Sequence, residues 1–396
     1  KQTPTPSPKP QGADKSRWPV RVLASTLVLL AIFGLWKAFT PSPPPAQLRV
    51  AVLPLHDHTG EADLAWMRLG LMSLASNTLA AGGDIPVVDD GNVAGLVSNS
   101  TWNGDPRSPD NAELFARLRQ VYGATHIVTM ALEPDAAGLR MNFSLVNEQE
   151  NRWDGTMVGQ DVIELTQGVV QSIYGRLIGR SRLGGEPVLV SDDPFNNEAY
   201  ARGMDFSLEG RCAEAIPYFR LVAEKEPALF APRLELAACL RINGEPDEAE
   251  QLLMQLIAEQ GELQHAENTG QALMTLGILQ NRTGRLDQAD ASYAAALEAA
   301  ERAGTADLAA RIIHNRSILA KNRGDWELAH EYLNRASLEY QRAGREVMPG
   351  QLWSGYANLA MEQGHLSEAD EYLEKALAAF RAAGDRRNEA MMLNNT

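Results

Sequence analysis

A short pattern recurs five times in the second half of this chain, and it constrains the fold more than any other feature. In each copy a glycine is followed five residues later by an alanine. The five glycines are Gly210, Gly244, Gly284, Gly324 and Gly364, so their spacings are 34, 40, 40 and 40 residues. A fixed period of this length is typical of repeat arrays, in which each unit packs against its neighbours. Residues 195–396 are therefore predicted to form such an array.

Two further positions recur in every copy. The residue seven places before the glycine is small: Gly203, Ala237, Gly277, Ser317 and Ala357. The residue four places after the alanine is large and apolar: Phe219, Leu253, Tyr293, Leu333 and Leu373. Small residues let a first helix approach a second closely, the glycine makes the turn, and the large residue fills the space between repeats. The pattern predicts a helix–turn–helix unit.

These positions resemble the tetratricopeptide repeat (TPR), which implies an all-α superhelical solenoid. Pro227 stands where that motif ends its second helix. Longer second helices are expected to end at Gly304, Gly344 and Gly384. Arg202 and Arg316 depart from the motif, because a core leucine is usual there. The prediction is five repeats plus the start of a sixth near Asn388, with the native array continuing beyond this chain.

An apolar segment near the start of the chain predicts a single transmembrane helix over residues 18–40. It has no charged residue between Val22 and Trp36, and 22 helical residues reach about 33 Å, enough to cross a bilayer. The residues predicted to lie at the membrane interfaces are Trp18, Arg21, Trp36 and Lys37. A signal peptide is the alternative, but AFTPSPPPAQ is a poor cleavage site. A buried core helix would not normally have Pro-rich chain on both sides.

The cations around this segment are unevenly distributed. Lys9, Lys15, Arg17 and Arg21 lie on its N-terminal side, and Lys37 lies just after it. The positive-inside rule then predicts a cytoplasmic N-terminus, with residues 41–396 on the other side of the membrane. Residues 1–17 are a Pro-rich linker and residues 41–46 a stiff spacer. Because the chain begins with a linker and with Lys rather than Met, we expect a further module upstream.

Residues 47–183 predict a mixed α/β domain, joined to the array by a linker over 184–194. Leu48–Leu55 and Ile85–Val88 predict strands, and an alternating hairpin and a third strand follow between helical segments. VAVLPL with Thr59-Gly60, then GATHIV, then LRMNFSLVNEQENRW together resemble the TolB amino-terminal-like domain. In that family the domain is a non-catalytic module. The Asn usual near His56-Asp57-His58 is missing.

Charge and cysteine content exclude several classes of protein. The chain has 36 Lys+Arg against 51 Asp+Glu, a net charge of −15, whereas a nucleic-acid surface needs clustered cations. Two cysteines are too few for a disulfide scaffold or a four-Cys zinc site. His56-Asp57-His58 lacks further ligands at a recognisable spacing, so a solvated loop is favoured over a metal site. We found no hydrolase, metalloprotease, P-loop or dinucleotide motif, and predict no catalytic, cofactor-binding or metal-binding residue.

The resemblance to TPR proteins places a partner-binding groove along the first helix of each repeat. The residues expected to face it are Arg241, Asn281, Arg282, His314, Lys321 and Asn358. Three cations that recur near the same repeat position of an acidic chain suggest a ladder for the carboxylates of an acidic peptide. The alternative is that they only keep the groove soluble.

The same repeat geometry predicts a disulfide between Cys212 and Cys239. Cys212 starts the second helix of the first repeat, and Cys239 lies late in the first helix of the next. These helices run antiparallel, so the two positions face each other, and the predicted compartment is oxidising. The alternative is two inert buried thiols, since both positions are usually apolar in TPR packing.

The predicted order of transmembrane helix, TolB-like domain and TPR array resembles the ToxR-like (CadC-like) membrane-integrated transcriptional regulators. That resemblance implies a winged-helix DNA-binding domain upstream, so DNA would be bound only through the absent part. It also implies a bacterial inner-membrane protein with one membrane pass, a periplasmic C-terminal part that binds an envelope protein or peptide, and a possible homodimer. The alternatives are the same framework carrying a Ser/Thr kinase or nucleotide cyclase, and an envelope TPR adaptor without an output domain.

Overall fold

The structure is a computed structural model, and it describes residues 48–61, 64–81, 85–178, 189–262, 265–345 and 347–393. Five strands in the first part form one small sheet: β1 (Val50–Val52), β2 (His56–Asp57), β3 (His126–Asp135), β4 (Gly138–Asn147) and β5 (Arg152–Gly159). β1 and β2 both pair in parallel with β3, and β3, β4 and β5 form an antiparallel meander. The strand order is therefore β1-β3-β4-β5. β2 pairs with β3 further along that strand than β1 does.

The predicted hairpin is formed by β3 and β4. Asp135 pairs with Gly138, which leaves a two-residue turn between the strands. Gly138 has a φ of 127°, a conformation that glycine adopts without a steric penalty. Met141, Phe143 and Leu145 are buried as the alternation predicts. This hairpin is the longest ladder of the sheet.

Four helices accompany the sheet. They are α1 (Met67–Ala81), α2 (Asp90–Ser98), α3 (Ala112–Tyr122) and α4 (Val162–Ile178). α1 contacts β1 and β2, and α4 contacts β4 and β5. α2 begins at a cap in which the Asp89 carboxylate accepts the backbone N–H of Asn92 at 3.1 Å. α3 ends at Gly123, whose φ is 67°.

Five consecutive helix pairs follow, and they confirm the predicted helical repeats. The pairs are α5 (Pro194–Leu208) with α6 (Cys212–Lys225), α7 (Phe230–Asn243) with α8 (Pro246–Glu262), α9 (Ala266–Arg282) with α10 (Leu286–Ala303), α11 (Ala306–Asn322) with α12 (Trp326–Arg342), and α13 (Gly350–Glu362) with α14 (Leu366–Ala383). One more helix, α15 (Arg386–Leu393), follows them. Each of the five repeat glycines lies between the helices of its pair with φ from 77° to 90°.

The small and large residues of the repeat pattern touch each other. A Cβ atom added at Gly203 would lie 2.6 Å from the Phe219 ring, and one at Gly277 would lie 2.6 Å from the Tyr293 ring. Both rings are buried. The small residue is therefore needed because the aromatic ring of the second helix packs directly on the backbone of the first.

The sheet and the array share a hydrophobic core. α1 packs against α5, the first helix of the array, and one apolar cluster continues from β1 to Leu279 of α9. A second cluster continues from Met274 to Leu359 in the later repeats. The described residues from Leu48 onward accordingly form one compact unit.

The predicted fold class, a single transmembrane helix followed by an α/β domain and a solenoid, is wrong. The fold is mostly a helical TPR-like solenoid, and only a small sheet is present among the described residues. In the same part of the chain no helix is both long and apolar enough to cross a bilayer. The predicted helix over 18–40, its interface residues Trp18, Arg21, Trp36 and Lys37, and the segments 1–17 and 41–46 lie outside the described residues.

Candidate protein-binding groove

The six predicted groove residues all lie on first helices of the repeats. Arg241 is on α7, Asn281 and Arg282 on α9, His314 and Lys321 on α11, and Asn358 on α13. Arg241, Asn281 and Lys321 each precede the glycine of their repeat by three residues, which places them in the last turn of successive helices. The repeat period therefore brings these three to equivalent places along the array.

Arg241 and Arg282 are neighbouring cations with no acidic partner among the described residues. Neither guanidinium forms an ion pair or hydrogen bond within that part of the chain, and the Nε of Arg241 is buried without a partner there. Burial lowers the pKa of Arg241, and the nearby positive charge of Arg282 lowers it further. A half-buried, unpaired guanidinium beside a second one is costly, so an anion bound here would be stabilised by both.

The other groove residues are mostly polar and neutral. The Asn322 side chain donates to Asn281 Oδ1 at 3.0 Å, which links two first helices. Lys321 and Asn358 are half-buried. Burial lowers the pKa of His314 to about 4, so its imidazole is neutral near pH 7 and can only hydrogen-bond. The cations of this groove are therefore Arg241, Arg282 and Lys321.

The α/β region contacts one edge of the array, at the turns that follow α10, α12 and α14. The backbone N–H of Val347 donates to the Gln120 carbonyl at 3.2 Å, and Arg117 Nε donates to the Ala382 carbonyl at 2.8 Å. The Asn99 side chain donates to the Gly384 carbonyl. These contacts lie at the ends of second helices and in the turns after them, whereas Arg241, Arg282 and Lys321 lie in the last turns of first helices.

An ion cluster of three residues lies within this edge contact. Asp307, at the start of α11, is 2.7 Å from Arg345 and 3.6 Å from Arg49, which precedes β1. Burial alone would raise the pKa of Asp307, but the two guanidinium groups outweigh it and the pKa is lowered. The ion pairs of this cluster therefore connect the start of the first strand to the turns of two repeats.

Acidic side chains also meet where the two regions touch. Burial raises the pKa of Glu235 on α7 to about 7, and the carboxylates of Asp89 and Asp90 raise it further, whereas Arg311 opposes them. Burial likewise raises the pKa of Asp90 to about 6. Ionised carboxylates are therefore disfavoured at this contact.

The two cysteines lie side by side. Both are buried free thiols, and Cys239 donates a hydrogen bond to Cys212 with the sulfur atoms 2.9 Å apart. The predicted disulfide is not formed in this structure, although the helices bring the two sulfur atoms together. Formation of the disulfide in the native compartment stays a prediction.

His56-Asp57-His58 lies at β2 and the loop after it. The two imidazole rings are 4.4 Å apart between centroids. Burial lowers the pKa of His56, and the neighbouring His58 adds to that effect. Across the described ranges, no group of three or more His, Cys, Asp and Glu side chains could hold a metal ion.

Sequence reasoning missed the contacts between distant parts of the chain. Arg49 and Asp307 are more than 250 positions apart in sequence, and Asp307 and Arg345 are 38 positions apart. No local pattern links these residues. Asn322 could have been found, because it directly follows Lys321 at the position that Arg282 holds one repeat earlier.

Comparison with known proteins gives matches among solved structures. No family model and no curated protein matches the chain. A set of nearly identical TPR-like repeats from Podosopora anserina is 19% identical, covers 48% of this chain and 97% of its own, and has a TM-score of 0.39. A thermophilic TPR protein of Thermus thermophilus is 20% identical, covers 50% of this chain and 98% of its own, and has a TM-score of 0.39.

A Rap protein solved with competence and sporulation factor is also similar. It is 14% identical, the match covers 57% of this chain and 61% of the Rap chain, and the TM-score is 0.45. These proteins are likenesses in fold. The helical-repeat fold of this chain rests on its own five helix pairs.

Proposed function

We propose that this chain is a protein-interaction scaffold whose helical-repeat groove binds an acidic segment of a partner protein. Solenoid repeats present extended concave surfaces, and extended peptides are commonly bound there. The observation that carries the proposal is the pair Arg241 and Arg282, two adjacent guanidinium groups without a carboxylate partner in the described part of the chain. A carboxylate that bridges them would remove a like-charge repulsion and satisfy the buried Nε of Arg241.

Lys321 extends this positive surface to the next repeat. It is in the last turn of α11, at the repeat position that Arg241 holds two repeats earlier. Extended peptide backbone spans at most about 3.5 Å per residue, and first helices of neighbouring repeats lie roughly 10 Å apart. Acidic residues spaced about three apart in a partner would therefore match successive repeats.

A competing explanation is that these cations only stabilise the helices. Arg and Lys in the last turn of a helix interact favourably with its dipole, typically by about 0.3–1 kcal/mol. The two explanations differ in what they predict for binding. Removing cations that serve only the helix dipole would lower the thermal midpoint slightly and leave peptide binding unchanged.

Fluorescence anisotropy with a defined probe tests the proposal. The probe is a labelled decapeptide with Glu at every third position, compared with the same peptide carrying Gln. We expect the Glu peptide to bind the chain and the Gln peptide to bind at least about tenfold more weakly, because each charge-assisted hydrogen bond adds about 1.5–3 kcal/mol. Raising the salt concentration should weaken the Glu peptide further.

The double variant Arg282→Ala and Lys321→Ala removes two of the three cations, and Arg302→Ala is its matched control. Arg302 is an exposed cation on a second helix, α10. The double variant should bind the Glu peptide at least about tenfold more weakly, with its thermal midpoint within about 2 °C of the parent. Equal binding of the Glu and Gln peptides, or an unaffected double variant, would refute the groove.

We further propose that this scaffold is the sensing portion of a regulator, located in the periplasm. The support is the resemblance of the sequence to ToxR-like regulators and the arrangement of an α/β region before a repeat array. The residues upstream of Lys1 test it: a winged-helix segment would support the regulator. A kinase or cyclase domain there would instead support the alternative in which the same framework carries a Ser/Thr kinase or a nucleotide cyclase.

A further inference from the structure

A cleft of about 540 Å³ lies between the α/β region and the first repeat. Its walls come from Leu55, which follows β1, and from β2, from the start of α1 and the residues just before it, and from the last turns of α5 and the residues just after it. The backbone N–H of Leu55 donates to the Arg68 carbonyl at 2.9 Å, which joins two of these walls. A cleft at the carboxyl ends of parallel strands and between two regions is a common location for a small-molecule site.

Trp66 is the most informative residue of this cleft. Its side chain is only 7% exposed, yet its indole Nε1–H has no hydrogen-bond partner among the described residues. Buried polar groups in folded proteins almost always have a partner, so this unpartnered donor beside the cleft would be satisfied by a ligand acceptor, which reaches the buried nitrogen once the Trp66 ring shifts. The guanidinium of Arg202 lies 4.7 Å from the centroid of the Trp66 ring and pairs with Glu198, so it is already engaged.

Arg68 and Asp57 are the charged groups of the cleft that have capacity left. The guanidinium of Arg68 makes no ion pair or hydrogen bond with any described residue, although it is near enough to lower the pKa of Asp205, which burial raises to about 6. Asp57 accepts the backbone N–H of Thr59 on one oxygen at 2.8 Å, and its other oxygen has no partner within the described ranges. The cleft thus offers two donors, Trp66 and Arg68, and the carboxylate of Asp57, while Asp205 and Glu209 also line it.

The rest of the wall is partly apolar. Leu55, Leu64 and Phe206 line the cleft beside the Trp66 ring. A ligand here would bury an apolar group while its charged ends meet Arg68 and Asp57. The lining residues are separate from the groove of Arg241, Arg282 and Lys321.

We propose that this cleft binds a small zwitterion with an apolar side chain, an apolar amino acid or a dipeptide of such residues. The ligand carboxylate accepts from Trp66 Nε1 and from Arg68, its ammonium group donates to Asp57, and its side chain lies against Leu55 and Leu64. Because α1 and α5 both line the cleft, the ligand bridges the α/β region and the array.

Isothermal titration calorimetry on the full chain tests this. The probes are L-leucine and leucyl-leucine, which separate a free amino acid from a dipeptide, with N-acetyl-L-leucine and L-leucinamide as controls that lack one charge each. We expect one of the two zwitterions to bind with a dissociation constant in the micromolar to millimolar range. The acetylated and amidated forms should bind at least about tenfold more weakly.

Three variants locate the site. Arg68→Ala and Asp57→Asn should each weaken binding of the zwitterion at least about tenfold. Arg302→Ala, an exposed cation outside the cleft, should leave the affinity within about twofold. Trp66→Phe keeps the ring and removes the N–H, so it should weaken binding at a thermal midpoint close to the parent. No heat from either zwitterion, equal binding of a control probe, or unchanged affinity in Arg68→Ala or Asp57→Asn would overturn the proposal.

Discussion

At the scale of single residues, Gly203 and Gly277 in the first helices of two repeats are determined by the aromatic ring that each one contacts. Gly277 has no positive φ, so its backbone would accept any residue, and only the Tyr293 ring excludes a side chain. The repeat pattern in the sequence therefore reports a contact between two helices, which explains why the small and large positions occur together in the first and third repeats.

Gly277→Ala should accordingly destabilise the chain. The new methyl group would lie 2.6 Å from the Tyr293 ring, and overpacking of a core typically costs about 1–3 kcal/mol. Gly261→Ala is the control, because this helical glycine has open space around its Cβ position, and the change should be neutral or stabilise by about 0.5–1 kcal/mol. Urea unfolding of both variants measures the difference. A Gly277→Ala variant as stable as Gly261→Ala would contradict the packing account.

The two cysteines give a second prediction at this scale. Their sulfur atoms are 2.9 Å apart, so bond formation requires little movement. In protein isolated from a periplasm we expect Cys212 and Cys239 to resist alkylation until reduced, and in cytoplasmic preparations we expect both to be alkylated in the unfolded chain. The chain-entropy model gives a stabilisation of about 3 kcal/mol for the closed loop of 28 residues, Cys212 to Cys239 inclusive. Two alkylated cysteines in unreduced periplasmic material would exclude the bond.

At the scale of elements, the start of α11 is held by charge as well as by apolar packing. Asp307 is the shared partner of Arg49 and Arg345, whose side chains are 15% and 9% exposed. Removing the carboxylate leaves two nearly buried guanidinium groups facing each other. Through these ion pairs, Asp307 connects the start of β1 to the repeat turns.

Asp307→Ala should lower the free energy of unfolding by about 3–5 kcal/mol, the usual loss when one member of a buried ion cluster is removed. Arg335→Ala is a suitable comparison, because the pair that Arg335 makes with Glu301 at 3.1 Å is exposed and should be worth less than about 1 kcal/mol. Thermal and urea unfolding report both values. If both variants lost a similar free energy of unfolding, the Asp307 cluster would contribute no more to stability than an exposed ion pair.

At the scale of the whole molecule, the contact between the α/β region and the array should make stability depend on pH. The pKa of Glu235 is raised to about 7 in the folded chain, above its ordinary value. A raised carboxyl pKa contributes stability that is present below the unfolded pKa and lost as pH rises through the folded value. Glu235 should therefore stabilise the fold more near pH 5 than near pH 8, as should Asp90 and Asp205, whereas His314, with its lowered pKa, acts in the opposite direction.

Glu235→Gln should remove most of this dependence. The amide keeps the shape and cannot ionise, so the variant should unfold at a higher temperature than the parent at pH 8, by about 2 °C or more, and show little difference from it at pH 5. Differential scanning calorimetry at the two pH values makes the comparison. A variant whose stability equals that of the parent at both pH values would contradict a protonated Glu235 at the contact.

The repeats could be predicted from the sequence because their contacts are local. Gly277 and Tyr293 are 16 residues apart in one helix pair, so a pattern of short spacings is enough to place them. The shared core and the edge contact could not be predicted, because Arg49 and Asp307 come from distant segments that no periodicity relates. The predicted fold class was wrong for the same reason. Sequence periodicity indicates individual helices and strands, whereas tertiary packing decides how much of the chain belongs to the sheet and how much to the solenoid.

For the predicted groove residues, the sequence period gives their placement on first helices, whereas the charge of His314 depends on tertiary packing. The period places Arg241, Asn281 and Lys321 equivalently, but the neutral state of His314 follows from burial by neighbouring helices. The Trp66 cleft gave no sequence signal, since its walls come from residues about 140 positions apart.

The proposed function requires an acidic segment to bind along the ends of α7, α9 and α11. Hydrogen–deuterium exchange of the full chain, with and without the Glu decapeptide, tests it most directly because it reports where the peptide lies. We predict slower exchange in the segments that carry Arg241, Arg282 and Lys321, and no change in β5 or α14. Slower exchange confined to other elements, or no change at peptide concentrations that saturate binding, would contradict the account.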